Sequence, residues 1–113
     1  MEIWVTFERG KWITSPDPAT VPRGTNITWR FRSNSIAANA VRWSVLFASG
    51  SPFGSPEFQL SVTTEQEKDG QHTGATDPQP ASDPGDYKYS VRAEDAKEKK
   101  EIGQDDPRLI VLG

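Results

Sequence analysis

The sequence predicts an all-β domain, a Greek-key β-sandwich of about seven to eight strands, and three observations carry that expectation. Ile27, Trp29 and Phe31, and later Tyr87, Tyr89 and Val91, place an apolar side chain at every second position, the period of a strand with one buried face. Short runs of this kind recur along the chain, separated by Gly- and Pro-rich turns. Between them there is no long helical pattern, no internal repeat and no apolar run able to span a membrane. With 113 residues the chain fits one domain, 1–113, closed around a single core.

The elements follow in order. Ile3, Val5 and Phe7 alternate with Trp4, Thr6 and Glu8, a first strand that stops at Arg9-Gly10, and its partner starts over Lys11 to Thr14. Pro16, Pro18 and Pro22 remove three backbone donors, so Ser15 to Gly24 is expected as loop or ragged sheet edge. From Thr25 to Ser33, Ile27, Trp29 and Phe31 face the core while Thr28, Arg30 and Arg32 face water. Asn34 to Ala40 is small and polar, and Val41, Trp43, Val45 and Phe47 resume the alternation. Ala48 to Pro56 is turn chemistry around Phe53, which could plug one end of the core. Phe58, Leu60 and Val62 make the next strand. Glu65 to Pro84 reads as a long polar loop, Gly85 to Ala93 as the penultimate strand, Glu94 to Asp106 as a solvated connection with at most one helical turn, and Pro107 to Leu112 as the last strand.

Composition excludes several functions. A net charge of -3 without a clustered Lys/Arg surface argues against nucleic-acid binding. Zero cysteines exclude disulfides, thiolate nucleophiles and thiolate metal sites, and suit either side of a membrane. Met1 to Gly10 alternates and carries Glu2, unlike a secretion signal, so the expected location is cytoplasmic if Met1 is native and periplasmic or extracellular if a signal has been removed.

Two stretches carry a family resemblance. Val21-Pro22-Arg23-Gly24-Thr25-Asn26-Ile27-Thr28-Trp29 is similar to the approach to the third strand of cupredoxins, and Pro84-Gly85-Asp86-Tyr87-Lys88-Tyr89 resembles their Pro-Gly-x-Tyr-x-Tyr/Phe lead into the copper-binding end. Asp106-Pro107-Arg108-Leu109-Ile110-Val111 resembles the family's last strand. The resemblance implies a cupredoxin-like sandwich. It also implies where copper ligands would fall, and each position has changed: the cysteine's on Val91, the following histidine's near Glu94 and the earlier histidine's near Asn39. The lone thioether, Met1, lies outside the axial-ligand loop. Type 1 copper needs imidazole and thiolate together, so the expected cofactor is none.

The remaining candidates each have two readings. His72, the sole histidine, is either a solvated loop residue or a pH-responsive group or general base beside Asp69 or Asp77. Glu94, Asp95, Glu98, Glu101, Asp105 and Asp106 interleave with Lys97, Lys99 and Lys100 and match no calcium loop. Asp17, Asp69, Asp77 and Asp83 are expected to cap turns, and Asn26-Ile27-Thr28, though a glycosylation sequon, reads as strand chemistry. Trp29 and Trp43 are in phase with the core. Trp4 and Trp12 either share an exposed aromatic strip suited to a glycan or protein, or lie under the Pro-rich loop. Arg23, Arg30, Arg32 and Arg42 either receive an acidic partner or pair with the chain's own carboxylates.

The sequence therefore supports a non-catalytic binding or assembly module without type 1 copper, its partner an unknown protein or glycan. Its possible binding surface is drawn from Asn39, Glu94, Trp4, Trp12 and His72. The competing readings are a divergent metal-binding or electron-transfer protein using Glu94, Asn39 and His72, and a small hydrolase built on His72.

Overall fold

The computed structural model describes residues 1–34 and 40–113, which form twelve strands and no helix. In chain order these are β1 (Glu2–Glu8), β2 (Lys11–Ser15), β3 (Ala19–Pro22), β4 (Asn26–Ser33), β5 (Ala40–Phe47), β6 (Phe58–Glu65), β7 (His72–Ala75), β8 (Gln79–Pro80), β9 (Gly85–Lys88), β10 (Ser90–Asp95), β11 (Glu101–Asp105) and β12 (Arg108–Leu112). They assemble into a sheet ordered β2-β1-β4-β7, with β8 added against β4, a facing sheet ordered β11-β10-β5-β6, and a small sheet ordered β3-β12-β9. Two pairings are parallel, β1 with β4 and β3 with β12, and the rest are antiparallel.

The expected alternation sets the core. Ile3, Val5, Ile27, Trp29, Phe31, Val41, Trp43, Val45 and Phe47 are all buried, from three central strands whose opposite faces carry Trp4, Thr6, Arg30, Arg32, Arg42 and Ser44. Arg9 (φ 52°) and Gly10 (φ 77°) both occupy the left-handed region, the requirement of the tight turn that joins β1 to β2 without splaying them. Phe53 closes one end of the core, with its ring centroid 6.0 Å from Trp29, 5.4 Å from Phe47 and 4.5 Å from Phe58.

Ser15 to Gly24 contains the sheet edge allowed for it, Ala19–Pro22 pairing in parallel with β12, and Pro22 is tolerated there because β3 is that edge. Three expectations change. Gly85 to Ala93 is two strands that serve different sheets, β9 beside β12 and β10 between β5 and β11, with Tyr89 at the crossing. The Glu65 to Pro84 tract contains β7 and β8, both seated on β4. The charged connection after Glu94 is a hairpin rather than a helical turn. Asp95 closes it, its side-chain Oδ1 accepting from the Lys97 and Glu98 amides at 2.9 Å and its backbone bonding Lys99 and Lys100 at 2.8 Å.

The lateral edges of the sandwich are closed by side chains. At one, Thr14 Oγ1 donates to Asp105 Oδ2 at 2.7 Å, linking β2 to β11, and the Trp12 indole lies against Gly103. A Cβ at position 103 would fall inside that ring. At the other, a Cβ on Gly74 would approach Thr64 Cγ2 to 2.7 Å and Val62 Cγ1 to 3.1 Å, so β7 can lie this near β6 only as glycine.

Two outcomes follow from this packing. Gly103→Ala must displace the Trp12 indole, costing about 1–3 kcal/mol by overpacking; the urea midpoint should fall and tryptophan emission shift to the red, whereas an unchanged midpoint would show that Trp12 is not seated there. Tyr89 has its phenol pushed well above the ordinary value by burial, against the opposing Trp29 hydrogen bond and with lesser upward pushes from the Asp17 and Asp105 carboxylates. The unfolded phenol then ionises first as pH rises past about 10, so this contribution is whole below that pH and is lost above it at up to about 1.4 kcal/mol per pH unit. Unfolding free energies at neutral and strongly alkaline pH should therefore drop further in the wild type than in Tyr89→Phe, and parallel losses would refute the assignment.

Candidate functional site

At the end of the molecule singled out by the resemblance, the described residues offer no metal-binding group. Val91 is buried in β10, paired with Val45 on β5 and Asp105 on β11, and presents only hydrocarbon where a thiolate would be needed. Glu94, on the same strand, faces outward and pairs with Arg42, its Oε1 3.8 Å from the guanidinium. Asn39 lies outside the described residues. Among the described residues no three His, Asp or Glu side chains converge on a common point. With no thiolate in the sequence, the donor set does not fit a type 1 copper ion.

His72 is not in a solvated loop. It opens β7, faces Ser33 across the β4 pairing and is 0% exposed. The Trp43 Nε1–H donates to Thr64 Oγ1 at 2.9 Å, and that oxygen is 3.1 Å from His72 Nδ1, so indole, hydroxyl and imidazole form a chain inside the core. Asp69, one of the partners considered for a general base, instead accepts from the Gln71 amide at 3.1 Å. The ring is sealed from solvent and its Nδ1 is engaged with Thr64, an arrangement that satisfies a buried polar group.

Trp12 and Trp4 do not share a face. Trp12 points inward, its ring 5.2 Å from Phe7 and 5.9 Å from Trp43, and its Nε1 is buried without a hydrogen-bond partner. The reason is register: Trp12 pairs with Phe7, which continues the inward set Ile3, Val5, whereas Trp4 has the opposite parity.

Trp4 and its neighbours form the most distinctive surface. The register sets two adjacent rows across the outer face of the β2-β1-β4-β7 sheet: Ser15, Trp4, Arg30, Ala75, and Ile13, Thr6, Arg32, Thr73. Trp4 remains 39% exposed and Ile13 55% exposed. The Arg30 and Arg32 guanidinium carbons stand 5.9 Å and 5.7 Å from the Trp4 ring centroid, within cation–π range. Arg30 Nε also donates to Glu2 Oε1 at 2.6 Å. Among the described residues Arg32 has no carboxylate within ion-pair distance. Between Trp4, the two arginines and Thr73 to Ala75 lies an open depression of about 320 Å³. Sequence reasoning found Trp4 and the arginines but missed Ile13, whose exposure follows from the Thr6 pairing and had no signal of its own.

The outer face of the other sheet is polar and self-paired. Arg42 meets Glu94 and Arg92 meets Glu101, at 3.8 Å and 4.0 Å, around a depression of about 250 Å³.

The sandwich is cupredoxin-like. It superposes on rusticyanin variants with a TM-score of 0.51 over 98% of this chain and 76% of that one, at 10% identity. An amicyanin variant aligns at 0.49 over 98% and 82% with 17% identity. Auracyanin A, a "blue" copper protein of the green thermophilic photosynthetic bacterium Chloroflexus aurantiacus, aligns at 0.46 over 99% and 98% with 16% identity. At these identities the likeness concerns the fold alone, and the rusticyanin superposition carries it. No family model and no curated protein matches the chain. With no cysteine anywhere in its sequence, this is a cupredoxin-like domain that lacks the type 1 copper ligands.

If His72 is a core group, His72→Ala leaves a cavity and strips Thr64 of a buried partner, costing about 3 kcal/mol in urea unfolding. Unchanged stability would return the histidine to a surface role.

Proposed function

We propose that the chain is a non-catalytic binding module whose working surface is the outer face of the β2-β1-β4-β7 sheet. One observation carries the reading: an exposed indole and an exposed isoleucine, Trp4 and Ile13, sit in adjacent rows of a sheet face whose other residues in those rows are Ser15, Arg30, Ala75, Thr6, Arg32 and Thr73. Single exposed apolar residues are ordinary, but Trp beside two arginines in a shallow depression is the composition of interface hot spots. The catalytic alternative loses its base, because His72 is sealed in the core. The metal alternative loses two of its ligands, to the core at His72 and to the Arg42 ion pair at Glu94.

The absence of cysteine makes a single introduced thiol unique. A benzophenone attached through Ile13→Cys should give a discrete cross-linked product in extract of the source cell, and Trp4→Ser should remove it. The same label at Ser61→Cys, on the outer face of the opposite sheet, should give none. Equal products from both faces, or none from position 13, would overturn the assignment.

A further inference from the structure

The binding-face reading leaves the chemistry of the partner open, and the charges on the face narrow it. We propose that the face receives a protein segment in which carboxylates flank an aromatic side chain, the carboxylate docking on Arg32 and the ring entering the depression beside Trp4. This inference rests on the reading of that face as the binding surface.

Arg32 supplies the first argument. Its neighbour Arg30 is held by Glu2, and Glu67 accepts from the Thr73 hydroxyl at 2.6 Å, whereas among the described residues Arg32 has no carboxylate within ion-pair distance and lies over the Trp4 ring. A guanidinium offers a fork of donors that matches a carboxylate in two parallel bonds. The whole chain carries a net charge of -3, yet the centre of this face is cationic, so the complement is acidic.

Charge also disfavours another copy of this chain as the occupant. A two-fold dimer through this face would bring the Arg30 and Arg32 pair against its own image, and like charges across an interface oppose association. The exposed Ile13 separates protein from acidic glycan. A sugar could stack on the indole, but Ile13, 55% exposed, lies two strands from Arg32 in the same row, and an aliphatic side chain calls for apolar area rather than hydroxyls. With strands about 4.8 Å apart the row from Ile13 to Thr73 spans about 14 Å, the reach of four or five extended residues. A depression of about 320 Å³ is open enough to admit one aromatic side chain.

Three commercial polyanions test this by titration calorimetry at low and physiological ionic strength: a random glutamate–tyrosine copolymer, poly-glutamate and polygalacturonate. The copolymer should bind roughly tenfold or more tightly than poly-glutamate, with affinity falling as salt rises. Arg32→Gln should weaken copolymer binding by roughly tenfold and flatten the salt dependence. Trp4→Ser should bring the copolymer down to the level of poly-glutamate. Polygalacturonate binding as tightly as the copolymer would reassign the face to acidic glycans. Equal binding of both polypeptides, or an unaffected Arg32→Gln, would remove the docked ring or the docked carboxylate. No binding of any polyanion would overturn the acidic-partner inference while cross-linking from position 13 still stood, and loss of that cross-link would instead remove the binding face itself.

Discussion

Everything in this fold turns on the place where one continuous stretch of chain leaves one sheet and enters another. Tyr89 sits there, with its amide bonded to the Pro107 carbonyl at 3.1 Å, β9 behind it pairing with β12 and β10 ahead pairing with β5 and β11. A strand can change sheets only if the residue at the bend is anchored on both sides. The ring stacks on Phe47 at 4.6 Å and meets Trp29 edge-on at 5.7 Å, while its hydroxyl accepts from Trp29 Nε1 at 3.3 Å. One residue thus touches β4 of one main sheet and β5 of the other, while β9 before it belongs to the third sheet and β10 after it to the sheet of β5. Aromatic pairs of this kind contribute about 0.5–1.5 kcal/mol each beyond their buried area. Phe53 caps the same cluster, which is why a turn rich in Gly, Ser and Pro can still belong to the core.

Away from this hub the sandwich is held by polar and steric fits at its edges. The Trp43, Thr64 and His72 chain satisfies buried polar groups that would otherwise cost stability, and it lies just inside the edge where Gly74 lets β7 approach β6. Trp12 over Gly103, with the Thr14 to Asp105 bond, closes the opposite edge. With both edges closed, the outer sheet faces are the broad surfaces left for a partner, and they differ in kind. One has matched its arginines with glutamates; the other, among the described residues, retains an arginine with no carboxylate in ion-pair reach, beside an exposed indole.

What could be read in advance depended on whether a residue's role left a periodic trace. Ile27, Trp29 and Phe31, like Val41, Trp43, Val45 and Phe47, alternate over a full strand, so their direction was legible. β7 is His-Thr-Gly-Ala, too short and too small to show a period, and its burial comes from β4 on one side and β6 on the other, neither adjacent in sequence. The same non-locality hid the histidine's place in the core and the second strand of the charged hairpin, where the exposed run Lys97 to Glu101 looks like a solvated connection although Glu101 already opens β11. Tyr87, Tyr89 and Val91 alternate as one strand would, and a change of partner at Tyr89 leaves that alternation untouched. For the candidate surface, Trp4 and the arginines were visible by parity, but Ile13 needed the register of a neighbouring strand.

An exposed tryptophan on a flat sheet face is a liability in a free domain, since it invites self-association. Here the two arginines on β4 lie over it, covering part of the indole with their own stems and guanidinium planes while keeping charge at the surface. Their like charges also oppose docking of the same face on a second copy, so the apolar area stays available without being sticky to itself. The same two side chains would have to part from the ring for a partner to reach it. Glu2 holds one of them in place, and among the described residues no carboxylate holds the other, so Arg32 is the side chain able to turn from the indole toward an incoming carboxylate.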